Sequence, residues 1–301
     1  SVGEEMKTSY NTLELNLEEG VLLVSLNRPS EMNSFTVEMA QELIMLFNEA
    51  SDEDEVSAII VTGAGKAFCA GMDLSVEGNV FGLNELLSPS IDQINGDYNK
   101  SDIVEGVRDT GGRVSLAIYE CKKPVIGAIN GAAVGVGATM TLGMDIRLVS
   151  SRAKIGFVFG KIGITPEACS TWFLPRIVGM QRALEWIYSA ELLSPEEAKE
   201  GGLVRSIHEP EELLVEAKKL AQKFTKNRSQ VSTALARQML YRNSAMPSPR
   251  AAHEVDSLSM FYTSVGDGKE GVASFLEKRD PAFKGKASQM PSFYPWWESD
   301  Q

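Results

Sequence analysis

The chain has 301 residues, 43% of them hydrophobic, and carries 41 acidic against 29 basic side chains for a net charge of −12. That length and apolar share suffice to bury a sizeable core, in one large domain or one domain with an appendage, and they exclude a disordered chain. The acidity excludes nucleic-acid or anionic-membrane binding by the surface as a whole, yet leaves room for a local basic pocket around a phosphorylated ligand.

The opening SVGEEM reads as a processed or engineered leader and is set aside. No signal peptide, bilayer-length apolar run or Arg-rich presequence is read, so a cytoplasmic protein without membrane insertion is expected. Residues 21–27 (VLLVSLN), 56–62 (VSAIIVT), 125–130 (VIGAIN) and 146–149 are short β-branched runs that end at turn residues, as buried strands do. Residues 36–50 repeat apolar side chains at helical spacing, and 113–119 do so more weakly. The glycines of AAVGVG lead into a helix from Gly137 to Leu142, which sets free backbone N–H groups and the positive end of a helix dipole at one spot.

In GKIGITPEACSTWFLPRIVG, residues 160–179, Pro166 fits a first helical turn and Glu167 beside it complements the helix dipole. The same acid, set among apolar residues, is the candidate base if the chain is an enzyme. Ser194-Pro195-Glu196-Glu197 is a capping box with proline in the first turn, and Gly201-Gly202 stops that helix. A strand at 203–207 and an amphipathic helix at 210–224 follow, then mainly helical sequence to 280, broken at Pro247, Pro249 and the Gly266, Gly268, Gly271 cluster.

The tail PSFYPWW, 291–297, is expected to pack in extended form on an apolar surface, a neighbouring subunit being one candidate. The final Ser299-Asp300-Gln301 is no peroxisomal address. Strands alternating with helices give an α/β class, with an α/β core at 7–200 and a mainly helical region with an aromatic tail at 201–301. Cys69, Cys121 and Cys169 are odd in number and irregular in spacing, which indicates neither a disulfide framework nor a zinc site and fits a reducing compartment.

Four segments, in order, are LNRPSEMNSF (26–35), GKAFCAGMDL (65–74), AINGAAVGVGATMTLGMDIRLVS (128–150) and GITPEACSTWFLPRIVG (163–179). Together they resemble the crotonase superfamily of enoyl-CoA hydratases and isomerases, over most of the chain from about Leu13 to Lys286. The resemblance implies a ClpP-like spiral of strand-strand-helix turns with a helical trimerisation region, and hence a homotrimer or hexamer. It implies an acyl-CoA thioester substrate, with coenzyme A entering as part of that substrate and no permanently bound cofactor or metal.

The resemblance maps the two N–H donors that stabilise a thioester enolate to Met72 and Val136. The two carboxylates with which the family's hydratases hold water fall at Thr139 and Phe159, whose side chains do not titrate usefully near neutrality, so two-acid hydration is disfavoured. Glu167 matches the single glutamate of Δ3-Δ2-enoyl-CoA isomerases that carry a similar PEGCSS-like run. One base suffices to take a proton from the α carbon and return it at the γ carbon, so the favoured expectation is conversion of 3-enoyl-CoA to 2-enoyl-CoA in fatty-acid metabolism.

Thr139, Phe159 and Trp172 are assigned to the substrate pocket. Phe157, Phe159, Trp172 and Phe173 read either as walls that keep the site dry or as core aromatics. Arg28, the backbone around Glu31 and Met32, Lys66, and Phe283 with Lys284 are the candidates for coenzyme A, the last two from this subunit or an adjacent one. The long connection between Leu74 and Lys122 reads as a lid, with Leu83, Leu86 and Leu87 either on an acyl chain or packed on the core.

Asp73 and Asp145 read as turn anchors, and His208 and His253 as surface or packing residues. The alternatives are a hydratase or other lyase in which Glu167 positions water, and a dehalogenase with a carboxylate nucleophile, against which stand the longer Glu and the lack of a nearby histidine. A non-catalytic acyl-CoA-binding protein on the same fold is a further alternative.

Overall fold

A computed structural model describes residues 5–298 of the chain. Most of the leader-like start, residues 1–4, and the carboxyl-terminal tripeptide, 299–301, lie outside the described residues. Among the described residues the strands are β1 (Leu13–Glu18), β2 (Val21–Leu26), β3 (Ala58–Gly63), β4 (Val125–Ile129), β5 (Ala133–Val134), β6 (Ile146–Ser150), β7 (Ile155–Gly156), β8 (Leu192–Leu193) and β9 (Ser206–His208). The helices are α1 (Val37–Asp52), α2 (Ile91–Asp97), α3 (Ser101–Gly106), α4 (Thr110–Tyr119), α5 (Val136–Thr139), α6 (Ser170–Val178), α7 (Met180–Ser189), α8 (Pro195–Glu200), α9 (Leu213–Thr225), α10 (Gln230–Asn243), α11 (Pro249–Val265) and α12 (Asp267–Glu277).

The main sheet runs β1-β2-β3-β4-β6-β9, antiparallel at β1–β2 and parallel thereafter, and β5, β7 and β8 form a second, smaller sheet. Along β2 and β3, Val24, Leu26, Ile59 and Val61 enter the main core, whereas the alternate Val21, Ala58 and Ile60 pack in a second core with Leu213, Ala217 and Leu220 of α9. Burial on both faces is why these strands read as unbroken apolar runs. α1 is fixed at its start by the Thr36 hydroxyl, which accepts the Met39 N–H at 3.1 Å, and it buries Met39, Leu43, Leu46, Phe47 and Ala50 at helical spacing.

The boundary expected at residue 200 falls inside this packed unit. β9 pairs in parallel with β6 and α9 covers the sheet, so the helical appendage begins only at α10. The helix expected from Gly137 to Leu142 is the single turn α5, after which tight turns carry the chain to Met144. The tail packs on its own chain instead of requiring a neighbour: Phe293 stacks on Tyr262 with ring centroids 5.7 Å apart, and Arg242 lies 3.4 Å from the Trp297 ring centre. It ends in a 3₁₀ turn, Trp296–Glu298, after a cis Tyr294–Pro295 bond. No helix among the described residues is long and apolar enough to cross a membrane.

One polar cluster joins α10 to the core. Arg237 Nε donates to both Asp145 carboxylate oxygens at 3.0 Å, its Nη1 donates to the Tyr119 and Cys121 carbonyls at 2.9 and 2.6 Å, and the Tyr241 hydroxyl donates to Asp145 Oδ1 at 2.7 Å. Asp145 Oδ2 also accepts the Val125 N–H, so the expected turn anchor is a junction between β4 and the helical region. Removing one partner of a buried ion pair strands the other. Arg237→Ala should therefore lower unfolding stability by about 3 kcal/mol, read from the urea midpoint, and a loss under about 0.5 kcal/mol would contradict the junction.

Candidate active site

The segment 69–72 and the start of α5 meet edge to edge. Cys69 and Ala133 form a parallel bridge, and the Val134 N–H donates to Cys69 O at 3.0 Å. The approach requires glycine at 137, where a Cβ would stand 2.0 Å from Cys69 O. The contact brings Met72 and Val136 onto the wall of one cavity of about 530 Å³. The first N–H groups of a helix have no intrahelical acceptor. Among the described residues neither the Met72 nor the Val136 N–H has a hydrogen-bond acceptor, so both can receive a developing negative charge.

Glu167 lines the same cavity, with Phe35, Phe81, Phe159 and Ile164 on its apolar walls. It does not stand in the first turn of a helix, as its place after Pro166 suggests. Ala168 and Cys169 both take left-handed backbone, φ 59°, so α6 begins only at Ser170 and Glu167 projects from the loop before it. A left-handed non-glycine residue costs about 1–2 kcal/mol, which tertiary contacts must offset. One such contact is the Ala168 N–H, which donates to Asp109 Oδ2 at 2.9 Å.

The Glu167 carboxylate is held on two sides. Thr139 Oγ1 donates to its Oε1 at 2.6 Å, and its Oε2 lies over Gly111, where a Cβ would be only 2.1 Å away. Burial pushes the carboxyl up to about 7; the Thr139 hydroxyl opposes that shift and the Asp109 charge adds to it. No cation forms an ion pair with Glu167 among the described residues.

Of the three side chains expected on the pocket wall, only Phe159 is there. Thr139 is fully buried behind the wall, where it holds Glu167. Trp172 faces away: its ring is edge-on to Tyr119 and Phe173 and covered by Arg176, 3.8 Å from the ring centre, because α6 turns that side toward the main core. Phe157 stacks on Trp186 and Phe173 packs on Tyr119, so both are core aromatics. His208 bonds the Ser206 hydroxyl on β9 and His253 is exposed on α11; neither reaches the cavity.

Arg28, Glu31, Met32 and Lys66 are brought to one edge, because the Asn33 amide donates to the Ala64 and Ala67 carbonyls at 2.9 Å and staples the two turns together. Met32 and Glu31 are exposed there, and so is Lys66. Arg28 is largely engaged, donating to Ser34 O at 2.6 Å and pairing with Asp73 at 3.3 Å, so Asp73 anchors this turn. Phe283 and Lys284 do not join that edge within the chain: Phe283 lines a separate cleft with Lys122, Lys123 and Arg228, and Lys284 lies beside Asp267.

From the connection between Leu74 and Lys122, Leu74, Phe81 and Leu83 line the cavity; Leu86 is exposed and Leu87 packs toward Gly106. The residue that sequence reasoning missed is Asp109, which also lines the cavity. Its place before a helical pattern marks it as an N-cap, which it is, accepting the Gly112 N–H at 2.6 Å, but nothing local signals its reach to Ala168. Among the described residues no group of three or more His, Cys, Asp or Glu side chains is placed to hold a metal ion.

A sequence-family model described as enoyl-CoA hydratase/isomerase matches residues 16–286. Enoyl-CoA hydratase ACTT3 of Alternaria alternata is 37% identical over 269 residues, which are 88% of this chain and 83% of the relative. The 1,2-epoxyphenylacetyl-CoA isomerase of Escherichia coli is 33% identical over 276 residues, 90% of this chain and 97% of the relative. Among solved structures, enoyl-CoA hydratase from Bacillus anthracis superposes with a TM-score of 0.78 at 28% identity, covering 92% of this chain and all of that one. The fold is therefore the crotonase fold, with its helical carboxyl-terminal region.

The buried carboxyl makes stability depend on pH. Its folded pKa of about 7 lies above the ordinary 4.5, so the folded state binds the proton more tightly than the unfolded state. The resulting stabilisation is full below pH about 4.5 and is lost as pH rises through about 7. Glu167→Gln should thus be more stable than wild type at pH 8, by no more than about 3 kcal/mol, with the difference closing near pH 4.5. Parallel stability profiles for the two proteins would show that the carboxyl is not perturbed.

Proposed function

The chain belongs to the enoyl-CoA hydratase/isomerase family, and on that premise we propose that it moves the double bond of a 3-enoyl-CoA to the 2-position, with Glu167 as the single base. The observation that carries this reading is the Glu167 carboxylate, raised to about 7, in a largely apolar cavity that also presents two free backbone N–H groups. The thioester carbonyl oxygen accepts from the Met72 and Val136 N–H groups. Glu167 takes the α proton, the C–H electron pair forms a double bond between the carbonyl and α carbons of a dienolate, and the carbonyl π pair moves onto the oxygen those donors hold.

The same carboxyl then returns the proton at the γ carbon as the dienolate collapses, leaving the double bond between α and β carbons. No atom is gained or lost. Thr139 keeps one carboxylate oxygen fixed while Phe159 and Phe81 help exclude water, so a group near neutral pKa both accepts and returns the proton. Coenzyme A lies along the edge of Arg28, Glu31, Met32 and Lys66 and is part of the substrate.

Phe283 and Lys284 contact that cofactor portion from a neighbouring copy. Assembly as a homotrimer or hexamer is supported by the exposed apolar side chains Met260, Phe261 and Val265 on α11 and Val272, Phe275 and Leu276 on α12. Three free cysteines suit a reducing compartment, the cytoplasm.

A second reading is hydration, with Glu167 activating water. Relatives named as hydratases favour it, and so does Asp109, a second carboxylate on the same wall. Incorporation of solvent oxygen into a 3-hydroxyacyl-CoA product would replace the isomerase reading with this one.

Glu167→Gln should lower kcat/KM for 3-enoyl-CoA about 10³-fold with little change in KM, and equal rates would sink the assignment. Because only the ionised base accepts a proton, wild-type kcat/KM should rise with pH through about 7. Gly111→Ala, which pushes the carboxylate off its seat, should cost about 100-fold in kcat; retained turnover would show that this placement does not matter.

A further inference from the structure

Asp109 closes the connection that follows Leu74 and stands immediately before α4. Its Oδ2 accepts two backbone N–H groups, from Gly112 at 2.6 Å and from Ala168 at 2.9 Å, so one oxygen joins segments 59 residues apart. Ala168 follows Glu167 directly and is the first of the two left-handed residues that keep Glu167 out of α6. α4 in turn supplies Gly111, the floor over which the Glu167 carboxylate sits. We propose that Asp109 is a positioning residue: it clamps the turn behind Glu167 to the start of α4, seating that carboxylate between Thr139 and Gly111.

The proposal rests on Glu167 being the base. The same placement sets the Asp109 carboxylate beside Glu167, a lesser influence than burial, and its effect depends on what else faces Glu167. Thr139 is a neutral donor on α5, and burial pushes the Cys69 thiol up to about 12 and the Cys169 thiol up to about 11, so both stay neutral over the working range. Arg108, beside Asp109, is turned aside: its guanidinium lies 3.8 Å from the Tyr98 ring centre and its Nη1 donates to Tyr98 O. Asp109 is therefore the charge that acts on Glu167 most directly, and like charges disfavour ionisation.

Asp109→Asn keeps an oxygen acceptor at an N-cap position that Asn fills as well as Asp, and removes only the charge. In the full chain, titration of the Glu167 carboxyl by ¹³C NMR, assigned with Glu167→Gln, should show its pKa fall by about half a unit to one unit in Asp109→Asn, with the melting temperature unchanged. The acid limb of kcat/KM with 3-enoyl-CoA should move by the same amount.

Asp109→Ala, which also releases the clamp, should lose about 10-fold or more in kcat while KM stays within about threefold. Wild-type kcat together with a Glu167 titration superimposable on that of wild type in Asp109→Ala overturns the proposal. The titration does not depend on turnover, which separates the two ideas. If Glu167→Gln leaves isomerisation intact while Asp109→Ala moves the titration, the isomerase reading falls and the clamp stands; a dead Glu167→Gln with an unmoved titration in Asp109→Ala gives the reverse.

Discussion

The hydrogen bond from Thr139 to Glu167, 2.6 Å long and shut away from water, is what remains of solvation for the one carboxylate on which the site depends. Burial alone raises such a group far above its ordinary range; one hydroxyl donor brings it part of the way back, and the balance lies at about 7. A second donor or a cation would pull the group down into the range of a surface acid and remove its basicity. The site works in the proposed reaction because satisfaction is incomplete. The Thr139 hydroxyl orients the acid that stands at 167.

Around that carboxylate the backbone supplies the free donors. The two free N–H groups at Met72 and Val136 come from segments more than sixty residues apart, and they share a cavity because Gly137 lets α5 approach Cys69 without a side chain between them. The left-handed pair Ala168 and Cys169 performs the complementary task of delaying α6 until Ser170. Both devices are strained or crowded in isolation. They persist because the parallel sheet and its flanking helices fix their anchors from several sides.

The helical carboxyl-terminal region is coupled to this core through polar contacts as well as apolar packing. Arg237 and Tyr241 reach Asp145, which also holds the first residue of β4, and the aromatic tail folds over Tyr262 and Arg242. The strand that leads to the turn before α5 is thereby braced by a helix more than ninety residues later in the chain. Apolar side chains on α11 and α12, among them Phe261 and Phe275, stay exposed.

Strands β2, β3, β4 and β6 are legible in the sequence because burial on both faces demands unbroken apolar runs, and α1 because one face alone is buried. β1 escapes notice: LELNLE is an edge strand with most of its side chains exposed. Pro166 misleads about α6 because local preference favours a helix start there, while the hydrogen bond that the Ala168 N–H donates to Asp109 holds the chain otherwise. Trp172 misleads because an aromatic beside a catalytic-looking acid has no local mark of which side it faces. The sequence by itself determined which groups exist: glycine-flanked donors at Met72 and Val136, one acid at Glu167, none at Thr139 or Phe159. Only the tertiary structure decided that Glu167 titrates near neutrality and which neighbours hold it, because desolvation and seating come from Thr139, Gly111, Asp109 and the apolar walls, which meet only when distant segments pack.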